Sequence, residues 1–300
     1  MKIKANNIDI EVEDTGADGS QAGRPVVVLI MGLGMQLVAW PLPLVQALVD
    51  AGFRVVRHDN RDIGLSQHLD HMGTPNVLWE SLKFRIGIAP RAPYSISDMA
   101  RDTLGVMDAL GIDRAHIAGV SMGGMIAQRV AIAAPARVQS LTSIMSSSGA
   151  RGLPEAKPRV LRALLGRPAN NSREAIINHY VKLLTTIGSP GFPIEEGMLR
   201  ERIALGIDRS FHPAGTLRQM VAVAADIPAR ARELARVTAP TLVMHGRADP
   251  LVPYPCGEDT ARRIAGARMV GIDGMGHDLA PGVVERLLPP MIEHLRTASA

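Results

Sequence analysis

The sequence predicts an α/β fold built on a doubly wound, mostly parallel sheet. Several β-branched runs, such as "PVVVLIMG" at residues 25–32, show no alternation with polar residues. Such runs are typical of strands that helices cover on both faces of a sheet. Segments with helical periodicity separate these runs, and an alternation of strand and helix along the chain favours parallel strands joined by crossover helices.

Seven segments are predicted as strands. Residues 8–13 alternate apolar and acidic side chains, which is typical of a half-exposed edge strand. The other six follow at residues 25–32, 53–59, 115–120, 138–145, 241–246 and 267–273. Several of these runs end at a glycine or at a polar residue, where a strand meets its loop.

Helical periodicity predicts five helices between the strands. The helix expected from residue 97 has a serine and an aspartate near its start, and both residue types are suited to capping. The five predicted helices are residues 43–51, 97–110, 122–134, 254–264 and 283–294.

Residues 151–236 interrupt the alternation of strand and helix. Stretches such as "EAIINHYVKLLTTI" and "EEGMLRERIALGI" have amphipathic helical patterns, and the segment contains no convincing buried strand. The sequence therefore predicts a helical insertion between two strands. Residues 1–150 and 237–300 are expected to form the core domain that surrounds it.

Composition excludes several classes of function. The net charge is +4 over 300 residues, without a run of Lys or Arg, so no nucleic-acid partner is expected. Cys256 is the only cysteine, which rules out an intramolecular disulfide and a cysteine-based metal site. No apolar run reaches the length of a membrane span, and the N-terminal residues contain no signal-like apolar region. We therefore expect a cytoplasmic protein without a membrane partner.

The stretch "GVSMG" at residues 119–123 is the strongest chemical signal. A strand that ends at Val120 and a helix that begins at Met122 leave Ser121 on the turn between them. Gly119 and Gly123 would relieve crowding where strand and helix approach closely, as in the G-x-S-x-G nucleophile elbow. This interpretation makes Ser121 the nucleophile and the Met122 N–H an oxyanion donor at a helix N-terminus.

A serine nucleophile requires a base and an acid that orients this base. "GMGHDL" places His277 shortly after a predicted strand, and "HGRADPLVP" places Asp249 in the loop after another. We interpret His277 as the base and Asp249 as the acid. The loop after residue 145 reads "SIMSSSGARG" and has no carboxylate, which favours Asp249 as the acid.

Other histidines and aspartates are weaker candidates for the base and the acid. His58 and His245 lie at strand ends and could face the same pocket, but His245 is interpreted as a structural residue of the Asp249 loop. Asp273 and Asp278 are near neighbours of His277 in sequence. A carboxylate so close in a turn rarely reaches the imidazole Nδ1.

The loop after the second predicted strand, "IMGLGMQ", is expected to supply a second oxyanion donor. Gly32 and Gly34 allow the backbone to approach a ligand, and the Leu33 N–H is the preferred donor. Together with Gly32, Met31 and Met125 are predicted to contact substrate, because methionines adapt to irregular apolar ligands. The sequence shows no cationic cluster for an anionic substrate.

Five stretches carry a resemblance to a known family. The sequence resembles the α/β-hydrolase superfamily along nearly all its length, and within it the aclacinomycin methylesterase-like and cofactor-free haloperoxidase-like esterases. The resemblance implies the α/β-hydrolase fold, a helical cap at 151–236, the chain order Ser121, Asp249, His277 for the triad, and an oxyanion hole from the Leu33 and Met122 amides. It implies neither a metal nor an organic cofactor. The stretches are "LIMGLGMQ", "RHDNRDIGLSQ", "GVSMGGMIAQ", "LVMHGRADPLVP" and "GMGHDL".

The chain departs from the family pattern at two loops. Met31 stands where many relatives have histidine, which should not affect a main-chain donor. Asp62 stands in "RDIGLS" where relatives often have glycine, and we expect it to pair with Arg61. At the elbow, Ser121 argues against the haloalkane dehalogenases and epoxide hydrolases of this fold, which resemble it but use aspartate.

These residues predict a serine hydrolase that cleaves a small-molecule carboxylic ester through an acyl-enzyme. The same triad is compatible with hydrolysis of a C–C bond in a β-diketone and with acyl or peracid transfer. A hydrolase-fold ligand-binding protein is the alternative from another class. The sequence leaves the natural ester and the oligomeric state open.

Overall fold

A computed structural model describes residues 1–86 and 88–299 and contains one eight-stranded sheet. The strand order is β1-β2-β4-β3-β5-β6-β7-β8. Strands β1, β2 and β4 pair antiparallel, and every pair from β4 to β8 is parallel. The predicted fold class is therefore confirmed. The strands are β1 Lys2–Ala5, β2 Ile8–Asp14, β3 Val26–Ile30, β4 Arg54–His58, β5 Ala115–Val120, β6 Val138–Ile144, β7 Thr241–Gly246 and β8 Arg268–Ile272.

Each of the seven predicted strands is present, and β1 is an addition. It forms a hairpin with β2 through Asn6 and Asn7, whose φ angles of 48° and 66° are those of a tight hairpin turn. Two of the four β1 residues are lysines, so the segment lacks the apolar run that identifies a buried strand.

Ten α-helices are found in the described residues. They are α1 Leu42–Asp50, α2 Val77–Arg85, α3 Ile96–Ala109, α4 Met122–Ala133, α5 Pro158–Leu164, α6 Arg173–Ile187, α7 Glu196–Arg209, α8 Pro213–Glu233, α9 Tyr254–Arg263 and α10 Pro281–Ser299. The expected capping at the start of α3 is a reciprocal pair, in which Ser95 and Asp98 each accept a hydrogen bond from the backbone N–H of the other. Helix α2 was not predicted, because its apolar residues Trp79 and Leu82 are exposed and form no buried stripe.

Helices cover both faces of the parallel part of the sheet. Val28 and Ile30 of β3 belong to one apolar cluster, whereas Val27 and Leu29 of the same strand belong to the other. All four side chains are buried, so neighbours that point to opposite faces both lie in a core. This burial explains why the strand reads as a continuous apolar run.

Helices α5 to α8 occupy the interval between β6 and β7, and this interval contains no strand. Helix α8 is attached to the body of the protein by buried ion pairs. Arg129 of α4 binds Asp226 at 2.5 Å, and Arg218 binds Asp62 in the loop after β4 at 2.7 Å. These contacts fix α8 above the carboxyl ends of the strands.

The expected pairing of Arg61 with Asp62 is wrong. Arg61 binds Asp102 of α3 through two hydrogen bonds of 2.6 and 2.7 Å, and Asp62 accepts two from Arg218 at 2.7 and 2.8 Å. Both residues are buried, and a buried charge requires a partner with good geometry. Partners from α3 and α8 provide two-point contacts to Arg61 and to Asp62.

Two buried imidazoles predict a loss of stability in mild acid. Burial lowers the pKa of His58 and that of His116 to about 4, whereas histidine in an unfolded chain titrates near about 6.5. Their stabilising contribution is therefore complete above about pH 6.5 and is lost as the pH falls towards 4. The loss is at most about 1.4 kcal/mol per pH unit for each ring. A His116→Asn variant should show a shallower fall in the free energy of unfolding between about pH 7 and pH 5, measured by urea denaturation. An unchanged slope would contradict this assignment.

Candidate active site

Ser121 occupies a strained turn between β5 and α4. Its φ of 55° and ψ of −120° lie outside the regions that L-residues usually adopt. A Cβ at Gly119 would lie 2.1 Å from the Gly123 carbonyl oxygen, and a Cβ at Gly123 would lie 2.1 Å from that of Ile30. Only glycine fits at these two positions. The backbone of Ser121 is held further by a hydrogen bond from its N–H to the Ile144 carbonyl at 2.9 Å.

A chain of hydrogen bonds joins Ser121 to His277 and Asp249. The Ser121 Oγ lies 2.9 Å from His277 Nε2, and His277 Nδ1 lies 2.7 Å from Asp249 Oδ2. The other carboxylate oxygen of Asp249 accepts hydrogen bonds from the N–H groups of Leu251 and Val252, both at 2.9 Å. The structure thus brings together the three residues, although Ser121 and Asp249 are separated by more than a hundred residues.

The electrostatics of Asp249 fix the proton on His277. Burial alone would raise the pKa of the Asp249 carboxyl, but its interactions with His277 hold this pKa well below its usual range. An ionised carboxylate only accepts hydrogen bonds, so Nδ1 of His277 carries the proton. The lone pair on Nε2 then faces the Ser121 hydroxyl.

The competing residues have other partners. His245 Nε2 donates to the Val252 carbonyl at 2.7 Å, which shapes the Asp249 loop. His58 is fully buried, and its Nε2 lies 3.3 Å from the Thr103 hydroxyl. Asp273 pairs with an arginine at the surface, and Asp278 accepts hydrogen bonds from Ser189. None of the four touches Ser121 in the described part of the chain.

The two expected oxyanion donors lie beside Ser121. A Cβ built on Gly32 would lie 3.3 Å from the Ser121 Cβ, so the turn after β3 packs directly against the serine. Leu33 follows in this turn, and Met122 is the first residue of α4. Within the described residues, neither the Leu33 nor the Met122 N–H donates to another protein group.

Ser121 and His277 open into a cavity of about 1,560 Å³. Helices α6, α7 and α8 supply much of its wall, and most of the lining side chains are apolar. The residues expected at the substrate all line it: Met31, Gly32, Leu33, Met122 and Met125.

Arg202 of α7 is one of three arginines among the described residues that line this cavity, although the sequence shows no cationic cluster for an anionic substrate. Its guanidinium donates to the carbonyls of Leu279 and Ala39 at 3.3 and 3.5 Å, and no described carboxylate lies within 4.0 Å. Burial lowers the pKa of Arg202, and Asp278 partly opposes the shift. The sequence places Arg202 in an amphipathic helix but does not show whether its side chain faces a cavity or solvent.

A group of potential metal ligands lies outside the lining of this cavity. Ligand atoms of His68, Asp70 and His212 lie within 4.8 Å of one another. The Arg218 guanidinium lies 3.0 Å from His212 Nε2 and 3.1 Å from Asp70 Oδ1. A cation bound here would be repelled by this charge, so the residues do not fit a metal.

In the described residues, no helix combines the length and the apolar character needed to cross a bilayer.

Comparisons with known proteins agree with this architecture. The model of the α/β hydrolase fold family matches residues 25–280. The rhodomycin D methylesterase DnrP of Streptomyces peucetius is 32% identical over 306 residues, with 94% of each chain covered. The rhodomycin D methylesterase DauP of Streptomyces sp. strain C5 is 31% identical, also with 94% of each chain covered. A meta-cleavage product hydrolase from Pseudomonas fluorescens IP01 superimposes with a TM-score of 0.74 at 20% identity, covering 99% of this chain and 98% of that one. The chain belongs to the α/β-hydrolase family.

Proposed function

We propose that this enzyme, a hydrolase of carboxylic esters, works through an acyl-enzyme formed on Ser121. The observation that carries the proposal is the unbroken set of contacts from Ser121 Oγ through His277 to Asp249, with distances of 2.9 and 2.7 Å. This arrangement supplies a nucleophile, a base and a group that orients the base. The methylesterase relatives support ester cleavage over the C–C and peracid alternatives.

In the first half of the reaction, Ser121 Oγ attacks the carbonyl carbon of the ester while His277 Nε2 accepts the hydroxyl proton. The negative charge that develops on the carbonyl oxygen is stabilised by the N–H groups of Leu33 and Met122 and by the N-terminus of α4. The ester C–O bond then breaks. His277 returns its proton to the departing alcohol, and the acyl group remains on Ser121.

In the second half, water replaces the alcohol. His277 removes a proton from the water molecule, whose oxygen attacks the acyl carbon, and the same two N–H groups stabilise the new oxyanion. The bond to Ser121 Oγ breaks, and His277 returns the proton to this oxygen. Asp249 remains ionised throughout and stabilises the imidazolium that forms in each half.

Residues 151–236 are proposed to form a cap over the core of residues 1–150 and 237–300. Helices α6, α7 and α8 support this division, because they line the cavity from the side opposite the sheet. The volume of about 1,560 Å³ exceeds that of most small-molecule sites. The relatives are methylesterases and the cavity is large and mostly apolar, so the proposed substrate is a methyl ester with a bulky, largely apolar acyl group.

Replacement of Ser121 by alanine should abolish the reaction. We expect kcat/KM for p-nitrophenyl butyrate to fall by at least about 10³-fold, and the burst of p-nitrophenol to disappear. The control is Ser148→Ala, since Ser148 is a buried serine that binds Asp259 and does not line the cavity. Full turnover by Ser121→Ala would refute the proposed mechanism.

Arg202 should favour substrates with an anionic group on the acyl chain. For mono-p-nitrophenyl glutarate, Arg202→Met should lower kcat/KM by about 10- to 100-fold, the loss typical of one charge-assisted hydrogen bond. For p-nitrophenyl hexanoate, which carries no charge, the change should stay below about threefold. Equal losses for the two esters would show that Arg202 has only a structural role.

A further inference from the structure

Gln219 of helix α8 links the turn at residues 32–35 (the Leu33 turn) to the rest of residues 151–236 (the cap segment). Its Oε1 accepts a hydrogen bond from the Gly34 N–H at 3.0 Å, and its Nε2 donates to the Arg61 carbonyl at 3.0 Å. A backbone N–H only donates and a carbonyl only accepts, so the two partners fix the orientation of the side-chain amide. Gln219 is completely buried, so bulk solvent does not compete for either hydrogen bond.

The turn itself has a backbone conformation that depends on this contact. The Met35 N–H donates to the Gly32 carbonyl at 3.2 Å and closes a four-residue turn. Gly34 is its third residue and has a φ of 68°, as a type II turn requires. The N–H that binds Gln219 belongs to the central peptide of this turn, between Leu33 and Gly34. Rotation of that peptide would break the hydrogen bond.

Packing against α8 restricts the turn further. A Cβ on Gly34 would lie 2.9 Å from two side-chain atoms of Thr216, so the helix leaves no room above the turn. One residue beyond the turn, Gln36 donates to the carbonyls of Gly206 and Ser210, both at 2.6 Å. The cap segment therefore holds the turn at its third residue and just beyond its C-terminal end.

Gln219 also separates the two candidate donors of this turn. The Gly34 N–H is already bonded to Gln219, whereas the neighbouring Leu33 N–H has no protein partner among the described residues. Of these two groups, only the Leu33 N–H is available to donate to a substrate oxygen. The turn lies against Ser121, as the 3.3 Å separation at Gly32 shows.

We propose that Gln219 is a positioning residue for the oxyanion hole, through which the cap segment sets the direction of the Leu33 N–H. The inference rests on the proposed function, because it assigns Leu33 to the oxyanion of the acyl-transfer reaction. It predicts that a loss of Gln219 impairs the transition state more than it impairs binding of the substrate.

The test compares two buried glutamines that both join α8 to the core. Gln219→Met removes both hydrogen bonds of the amide while it keeps the length of the side chain. Gln128→Met is the matched control, since Gln128 is also fully buried and accepts a hydrogen bond from Arg230 of α8 at 2.9 Å. Gln128 does not line the cavity.

For Gln219→Met we expect kcat with p-nitrophenyl butyrate to fall by about 10- to 100-fold, somewhat less than the loss of an oxyanion donor itself. KM should change by less than about threefold. Affinity for butylboronic acid, which adds to a serine hydroxyl as a tetrahedral adduct, should fall by a similar factor to kcat. Gln128→Met should keep kcat within about threefold of the unsubstituted enzyme, even if its melting temperature falls as far as that of Gln219→Met.

Gln219→Glu provides a second variant if the methionine variant does not fold. Its carboxyl group still accepts from the Gly34 N–H but loses the amide donor to the Arg61 carbonyl. Relative to the unsubstituted enzyme, we therefore expect kcat to fall while KM stays within about threefold, and a change confined to KM would overturn the inference. Unchanged kcat and boronate affinity in Gln219→Met, or losses equal to those of Gln128→Met at equal stability, would overturn the inference. Turnover by Ser121→Ala would instead refute the proposed function, so the two failures are distinguishable.

Discussion

The candidate active site depends on the close approach of two backbone segments at the start of α4. Ser121 can hold its unfavourable φ of 55° because β5 and α4 meet through Gly119 and Gly123, where a Cβ would overlap backbone oxygens. A conformation of this kind costs about 1–3 kcal/mol and persists only where the surroundings determine it. The contact lifts the Ser121 hydroxyl above the sheet and places the Met122 N–H beside it.

The parallel sheet brings loops from separate parts of the chain together at one site. The Leu33 turn follows β3, Ser121 follows β5, Asp249 follows β7 and His277 follows β8. The carboxyl ends of parallel strands lie at one edge, so residues from distant parts of the chain converge there. Hydrogen bonds from the backbone to Asp249 then set the carboxylate, and the carboxylate sets the imidazole.

Buried charges join the cap segment to this edge of the sheet. Arg218 meets Asp62 in a two-point contact, and Arg129 meets Asp226. Such pairs are costly to break, because the remaining partner would be an isolated buried charge. Arg202 differs from these arginines: its hydrogen bonds within the described residues go to two backbone carbonyls at 3.3 and 3.5 Å, and it lines the cavity. Residues 151–236 thus supply buried ion pairs to the core and an arginine to the lining of the cavity.

The sequence by itself determined the fold class, the strands from β2 to β8, and the identity of Ser121, Asp249 and His277 as candidates. These features can be identified from short segments and from their order along the chain, because buried strands and glycine-rich turns have local sequence patterns. The tertiary structure alone decided the partners of Arg61 and Asp62, the exposure of Arg202 to the cavity and the contact of Gln219 with Gly34. The contacts of Asp62, Arg202 and Gln219 depend on how the helical insertion packs onto the core, whereas that of Arg61 depends on how α3 packs beside the loop after β4. Gly34 and Gln219 are separated by 185 residues, and no periodicity in the sequence relates them.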